Sequence, residues 1–206
     1  MRLLITNVNL DASTMTGCEA IAERLEALAP EAEIRHVHWA DNEAARVIET
    51  WRPHALVLGP NGTPFPAYPS SFDDFLSWVR GYEDPLLGIC GGHQVLALAH
   101  GATVGPVFDV PPASDSYVGM PKVSGDTRVT LDADHLLFAG LPATITVAAS
   151  HVDEVQRVPA GFTAIASGAP CVIQAISRDD HAQVGVQFHP ERTTETRHGE
   201  TLLLNW

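Results

Sequence analysis

The N-terminal half of the chain alternates continuous apolar runs with amphipathic segments, and this alternation restricts the fold more than any other feature. "RLLITNV" (2–8) reads as a buried strand and "GCEAIAERLEALA" (17–29) as a helix that places Ile21, Leu25 and Leu28 on one face. A strand at "EIRHVHW" (33–39), a helix at "NEAARVIETW" (42–51), a strand at "HALVLG" (54–59) and a serine-started helix at "SSFDDFLSWVRGY" (70–82) follow. "PLLGIC" and "GHQVLALAHG" supply one further strand and helix. Strands that are apolar on both sides must be covered on both sides. The pattern therefore predicts an α/β fold, an open, mostly parallel twisted sheet flanked by helices with right-handed crossovers.

Beyond Gly101 the runs shorten. "ATVGPV", "TRVTLD", "TITVAAS", "FTAIAS", "CVIQAIS" and "AQVGVQFH" are strand-like pieces between turn signals, and 105–121 is rich in Pro, Gly and Ser. They predict antiparallel additions in the C-terminal half of the same sheet, so residues 1–206 are expected to form one domain. The closing "RHGETLLLNW" predicts a short helix with Leu202 to Leu204 and Trp206 packed inward.

Charge narrows the function. The 12 Lys+Arg against 25 Asp+Glu give −13, and Lys122 is the only lysine, so no basic cluster can neutralise a row of phosphates. Nucleic acid is not an expected partner. No run reaches the roughly 18 apolar residues that span a bilayer, and "MRLLITNVNLDAST" lacks a signal-peptide h-region and cleavage site. A cytoplasmic protein with no membrane partner is expected. The three cysteines, Cys18, Cys90 and Cys171, are odd in number and lack CxxC spacing, which suggests neither a disulfide framework nor a zinc site.

Cys90 stands apart from the other two. Gly88-Ile89-Cys90-Gly91-Gly92 has the form G-x-C-x-G between a predicted strand and a predicted helix, the thiol counterpart of a nucleophile elbow. Such a turn strains the backbone of the nucleophile, and flanking glycines remove the clashes that side chains would make. At the helix start the free N–H groups favour a thiolate, and the Gly91 N–H is available to an oxyanion. A small core cysteine with turn glycines is the plainer alternative.

A cysteine nucleophile needs a base and a group that orients the base. His189 follows the strand-like "AQVGVQF", which puts it at the same sheet edge as Cys90 if the two strands run parallel. Glu191, two residues on and past Pro190, can turn its carboxylate back toward the imidazole. An isolated His-x-Glu is more often a surface loop, so it is the pairing with the elbow that gives these two residues weight.

Four ordered blocks, "LVLGPNGTP" (56–64), "GICGGHQ" (88–94), "SHVDEV" (150–155) and "GVQFHPE" (185–191), resemble the class I glutamine amidotransferases over nearly the whole chain. Their wording is most similar to the amidotransferase part of GMP synthetases. The resemblance implies a flavodoxin-like glutaminase domain with Cys90 as nucleophile, His189 as general base and Glu191 as its orienting carboxylate. It further implies oxyanion donors at Gly59 and Gly91, substrate contacts at Gln94 and Gly62, and for His151 either substrate contact or communication with a synthetase partner, with a plain surface loop as the alternative. The first block is one residue longer than the family's G-P-G-x-P, so Asn61 and Gly62 both stand where the second glycine would.

The implied reaction hydrolyses glutamine to glutamate and ammonia through a thioester, and a separate synthetase or synthase chain receives the ammonia. It calls on no cofactor and no metal. A free-standing cysteine hydrolase acting on a γ-glutamyl or related amide is the alternative. A catalytically silent module ranks last, because all three implied catalytic residues are present. His36 and His38 are read as strand residues, His93 as helix-start packing, and 105–121 as the segment that faces a partner.

Overall fold

The computed structural model describes residues 1–41 and 43–206, the side chains of 43–45 aside. The first half alternates as expected through β1 (Arg2–Asn7), α1 (Thr16–Leu28), β2 (Glu33–His38), α2 (Glu43–Trp51), β3 (Ala55–Leu58), α3 (Phe72–Gly81), β4 (Leu86–Ile89) and α4 (Gly91–Ala99). The first residue of the helix expected over 42–51 lies outside the described residues. The second half contains β5 (Val104–Pro106), β6 (Val123–Leu131), β7 (Thr144–His151), β8 (Asp153–Val155), β9 (Phe162–Gly168), β10 (Ile173–Arg178), β11 (Gln183–Val186) and α5 (His198–Asn205).

A nine-stranded sheet has the order β2-β1-β3-β4-β11-β10-β9-β6-β7. The pairs from β2 to β11 are parallel, and those from β11 to β7 are antiparallel. The antiparallel additions thus join the same sheet, while β5 and β8 pair separately. β11 lies parallel to β4 with Val186 opposite Ile89, so the residues after both strands leave the sheet at one edge. In open α/β sheets that carboxyl edge is where ligands bind.

Alternation along β1 sends Leu3 and Ile5 to one face and Leu4 to the other. The first face packs under Ile21 and Leu25 of α1 and Leu202 of α5; the second packs under Phe72, Phe75 and Val79 of α3 and Leu96 of α4. Two details depart from the sequence reading. Ser71 stands at the start of α3, but its side chain makes no capping bond; Asp73 and Asp74 in the first turn supply the negative charge that end favours. Leu204 is 63% exposed, because α5 buries only the face carrying Leu202 and Leu203.

Candidate active site

Cys90 links β4 to α4 with φ 54°, the left-handed region that a residue with a Cβ seldom occupies. Its N–H donates to Val186 O at 2.8 Å, which ties the turn to β11. The glycines around it are required by close approach. A Cβ on Gly92 would collide with the Leu58 carbonyl of β3, and one on Gly88 would meet His93 N at 2.7 Å. One on Gly91 would sit 2.6 Å from Asn61 N. The elbow geometry inferred from G-x-C-x-G is therefore present, with α4 pressed against the end of β3.

His189 follows β11, and its N–H donates to Ala148 O of β7 at 2.8 Å. Its ring Nδ1 lies 2.7 Å from Glu191 Oε1, and both side chains are almost fully buried. A carboxylate only accepts, so Nδ1 carries the proton in this bond. Nε2 is buried with no completed hydrogen bond, and the Cys90 sulfur is the neighbour whose charge acts most strongly on the ring. In an unliganded site such a contact is commonly looser than in the reacting complex. Burial alone would push the imidazole down, but Cys90 and then Glu191 outweigh it, and the pKa is raised to about 9.

The loop after His189 is clamped from a distant part of the chain. Arg24 on α1 donates to Glu191 O at 3.0 Å and Thr193 Oγ1 at 2.6 Å, and pairs with Glu200 of α5 at 2.7 Å. No local sequence signal marks Arg24 for this position. Gln187 also escapes the sequence reading; it is fully buried just past β11, in a run that also holds the buried Gln183. Its Nε2 donates to Cys90 Sγ at 3.7 Å, and its Oε1 accepts from Gln94 at 3.1 Å.

A cavity of about 300 Å³ opens on Cys90 and is lined by Gly62, Gln94, His151 and Asp153 among others. Gln94 gives its amide hydrogens to Asp153 O at 2.8 Å and to Gln187, which leaves its oxygen for a ligand. His151 directs Nδ1 to Asp153 O at 2.9 Å and has an unpartnered, buried Nε2. Burial, helped by the charges of His189 and Lys122, lowers its pKa to about 4. It is neutral at physiological pH.

The oxyanion assignment needs one correction. Gly59 N–H donates to Thr6 O at 3.0 Å, because the β1–β3 ladder runs one residue past Leu58, so it is not a free donor. The Gly62 N–H is likewise committed, to Asn9 Oδ1 at 3.0 Å. Among the described residues, the Asn61 and Gly91 N–H groups have no acceptor, and the Asn61 backbone lies against Gly91. Of Asn61 and Gly62, it is Asn61 whose N–H is uncommitted. Within the 105–121 segment, Tyr117 and Val118 line the cavity beside Cys90.

His93 packs as expected, fully buried against Gly185 of β11, with burial lowering its pKa to about 3. The folded protein holds it neutral, whereas an unfolded chain protonates it near pH 6.5. Protons thus favour unfolding, and its contribution is complete above that pH and is lost as pH falls toward 3. Urea titrations from about pH 6.5 to about pH 4 are expected to show stability falling by about 1.4 kcal/mol per pH unit from this residue alone. His93→Asn should remove that part of the slope while lowering stability at about pH 8.

A cysteine at a strained strand-to-helix turn, with a buried histidine–carboxylate pair following the neighbouring parallel strand, gives this α/β protein the geometry of a nucleophile elbow. The chain belongs to the class-I glutamine amidotransferase family, whose model matches residues 14–206. It is 37% identical over 122 residues to a subunit of the glutamine-hydrolyzing GMP synthase of Methanocaldococcus jannaschii, covering 59% of this chain and 58% of that one. It is 38% identical over 150 residues to the pyocyanine-specific anthranilate synthase component 2 of Pseudomonas aeruginosa, covering 73% and 67%. The match spans less than two thirds of the M. jannaschii protein and of its Archaeoglobus fulgidus counterpart, 58% and 56%. A solved structure of a GMP synthase subunit from Thermoplasma acidophilum superposes with a TM-score of 0.72 at 25% identity, covering 100% and 91%. Among the described residues no helix is long and apolar enough to cross a membrane.

Proposed function

We propose that the chain is one cytoplasmic glutaminase domain that releases ammonia from glutamine for a separate synthetase chain. The observation that carries this reading is the buried His189–Glu191 pair at the sheet edge that carries Cys90, with Cys90 opening on a cavity of about 300 Å³. The Cys90 thiolate attacks the side-chain carbonyl carbon of glutamine. The oxyanion so formed is met by the N–H groups of Asn61 and Gly91. Protonated His189 gives its Nε2 proton to the amide nitrogen, the C–N bond breaks, and ammonia leaves a γ-glutamyl thioester. Neutral His189 then takes a proton from water, which attacks the thioester; glutamate departs and the thiolate–imidazolium pair is restored. Glu191 keeps the imidazole oriented and stabilises its charge. The relatives that are GMP synthase subunits support a nucleotide synthetase as the ammonia acceptor.

Glutamate release by the purified chain, alone and with such a synthetase, tests the proposal, with Cys90→Ala alongside. Cys90-independent release would refute it. The raised His189 pKa sets a further expectation. The proton needed by the leaving group is present below about pH 9 and is lost above it, so kcat/KM should fall on an alkaline limb near that value. Glu191 is among the groups that raise it. Glu191→Gln should therefore move the limb to lower pH and slow turnover about 10²-fold or more, as a pH–rate profile would show.

A further inference from the structure

Gly91 starts α4, and the helix fixes the direction of its N–H. Asn61 has no such support, because residues 59–64 lie outside any helix or strand. The bonds that orient its backbone come from Asn9, a side chain just past β1 that is 6% exposed. Asn9 Nδ2 donates to Pro60 O at 3.3 Å, and Asn9 Oδ1 accepts from the Gly62 N–H at 3.0 Å. The Pro60 carbonyl and the Asn61 N–H belong to one planar peptide, which is trans, so the two point in opposite directions. Holding the oxygen at Asn9 turns the N–H away from Asn9, and the Asn61 backbone lies against Gly91.

Asn9 is itself held firmly. Its backbone N–H donates to Asn7 Oδ1 at 3.0 Å, and its Nδ2 also reaches Asn7 Oδ1 at 2.8 Å and Thr14 O at 3.0 Å. Its backbone oxygen accepts from Trp39 Nε1 and His38 Nε2, each at 2.8 Å. A carboxamide both donates and accepts from one rigid plane, which is what two neighbouring peptides of opposite polarity require. The geometry points to Asn9 as a positioning residue: its amide clamps the peptides on either side of Asn61 and aims the Asn61 N–H at the oxyanion formed when Cys90 attacks a carbonyl carbon. Without the clamp the Pro60–Asn61 peptide is free to rotate, and its oxygen would repel the charge that its N–H stabilises. This rests on the glutaminase reading for its nucleophile and deepens it, and it holds for whichever acyl group Cys90 attacks.

Three rates in the full chain and in Asn9→Ala and Asn9→Ser test it, each taken below the melting transition of the variant. Hydrolysis of p-nitrophenyl acetate, with Cys90→Ala as the blank, forms an oxyanion without needing glutamine. Glutamine hydrolysis gives kcat and KM. Labelling of Cys90 by iodoacetamide is a displacement at saturated carbon and forms no oxyanion. Asn9→Ala should lower the ester rate and the glutamine kcat by about 30-fold or more, leave KM within about 3-fold, and leave the labelling rate unchanged. Asn9→Ser keeps an oxygen acceptor for the Gly62 N–H and should fall between; if Asn9→Ala does not fold, it carries the same comparison. Equal losses of ester hydrolysis and labelling would make Asn9 a purely structural residue and overturn the inference, as would an unchanged ester rate. A wild type that turns over the ester through Cys90 but not glutamine, with or without a synthetase, would refute the glutaminase reading alone, and the ester rates would still decide the role of Asn9. Ester hydrolysis that does not depend on Cys90 would overturn both.

Discussion

Cys90→Ala is expected to lower glutamine turnover by more than about 10⁴-fold while leaving the thermal transition within a few degrees of the wild type. In the proposed reaction every covalent step passes through the sulfur, and neither water nor the neighbouring amides can take its place as nucleophile. The substitution removes one small polarizable atom from a turn whose backbone is held by other bonds, including the Cys90 N–H to Val186 O bond at 2.8 Å. The fold therefore survives it. His189→Ala should approach the same loss, and the double variant should fall little further, because the two act as one unit. Steady-state glutamate release and a melting curve on the same samples check this, and a residual rate above a hundredth of wild type would place the chemistry elsewhere.

Gly92→Ala should be the most destabilising single-atom change in the molecule. Its Cβ would enter the space held by the Leu58 carbonyl, and backbone at the end of a central strand cannot turn aside as a flexible side chain can. Helix α4 would have to retreat from β3, separating Cys90 from the Asn61 N–H as it moved. A loss of about 3 kcal/mol or more is expected, which corresponds to a drop of about 6–12 °C in Tm for a chain of this size. Gly81→Ala is the control, since a Cβ there meets nothing within 4 Å and φ is not positive. It should be neutral or slightly stabilising. Equal effects at the two positions would mean that general helix propensity, not contact with β3, explains the glycine.

What could be read from sequence was what repeats or what chemistry restricts. Apolar runs in β1, β3 and β4 announced a sheet covered on both faces, because a strand with a wet face alternates instead. The elbow was legible because three glycines flank one cysteine, a composition with few other uses. What could not be read depended on single tertiary contacts. β8 is too short to show a period, so nothing in its three residues announces a strand. The loss of Gly59 as a donor follows from one additional ladder bond to Thr6, which no local pattern encodes. Arg24 lies 167 residues from the carbonyl it holds, and a lone arginine on an amphipathic helix reads as a solvated face.

The position of β11 has a temporal consequence. It follows the other strands of the sheet in chain order, yet it lies between β4 and β10, so it is the seam along which the parallel and antiparallel halves of the sheet are joined. A ribosome-bound chain that has emerged only as far as β10 has two half-sheets with facing open edges, holds the Cys90 thiol, and lacks the histidine and the carboxylate that would make it a catalyst. The elbow is thereby paired with its histidine and carboxylate only once β11 has joined the sheet. The same seam makes late assembly slow, because its partners in β4 were made almost a hundred residues earlier.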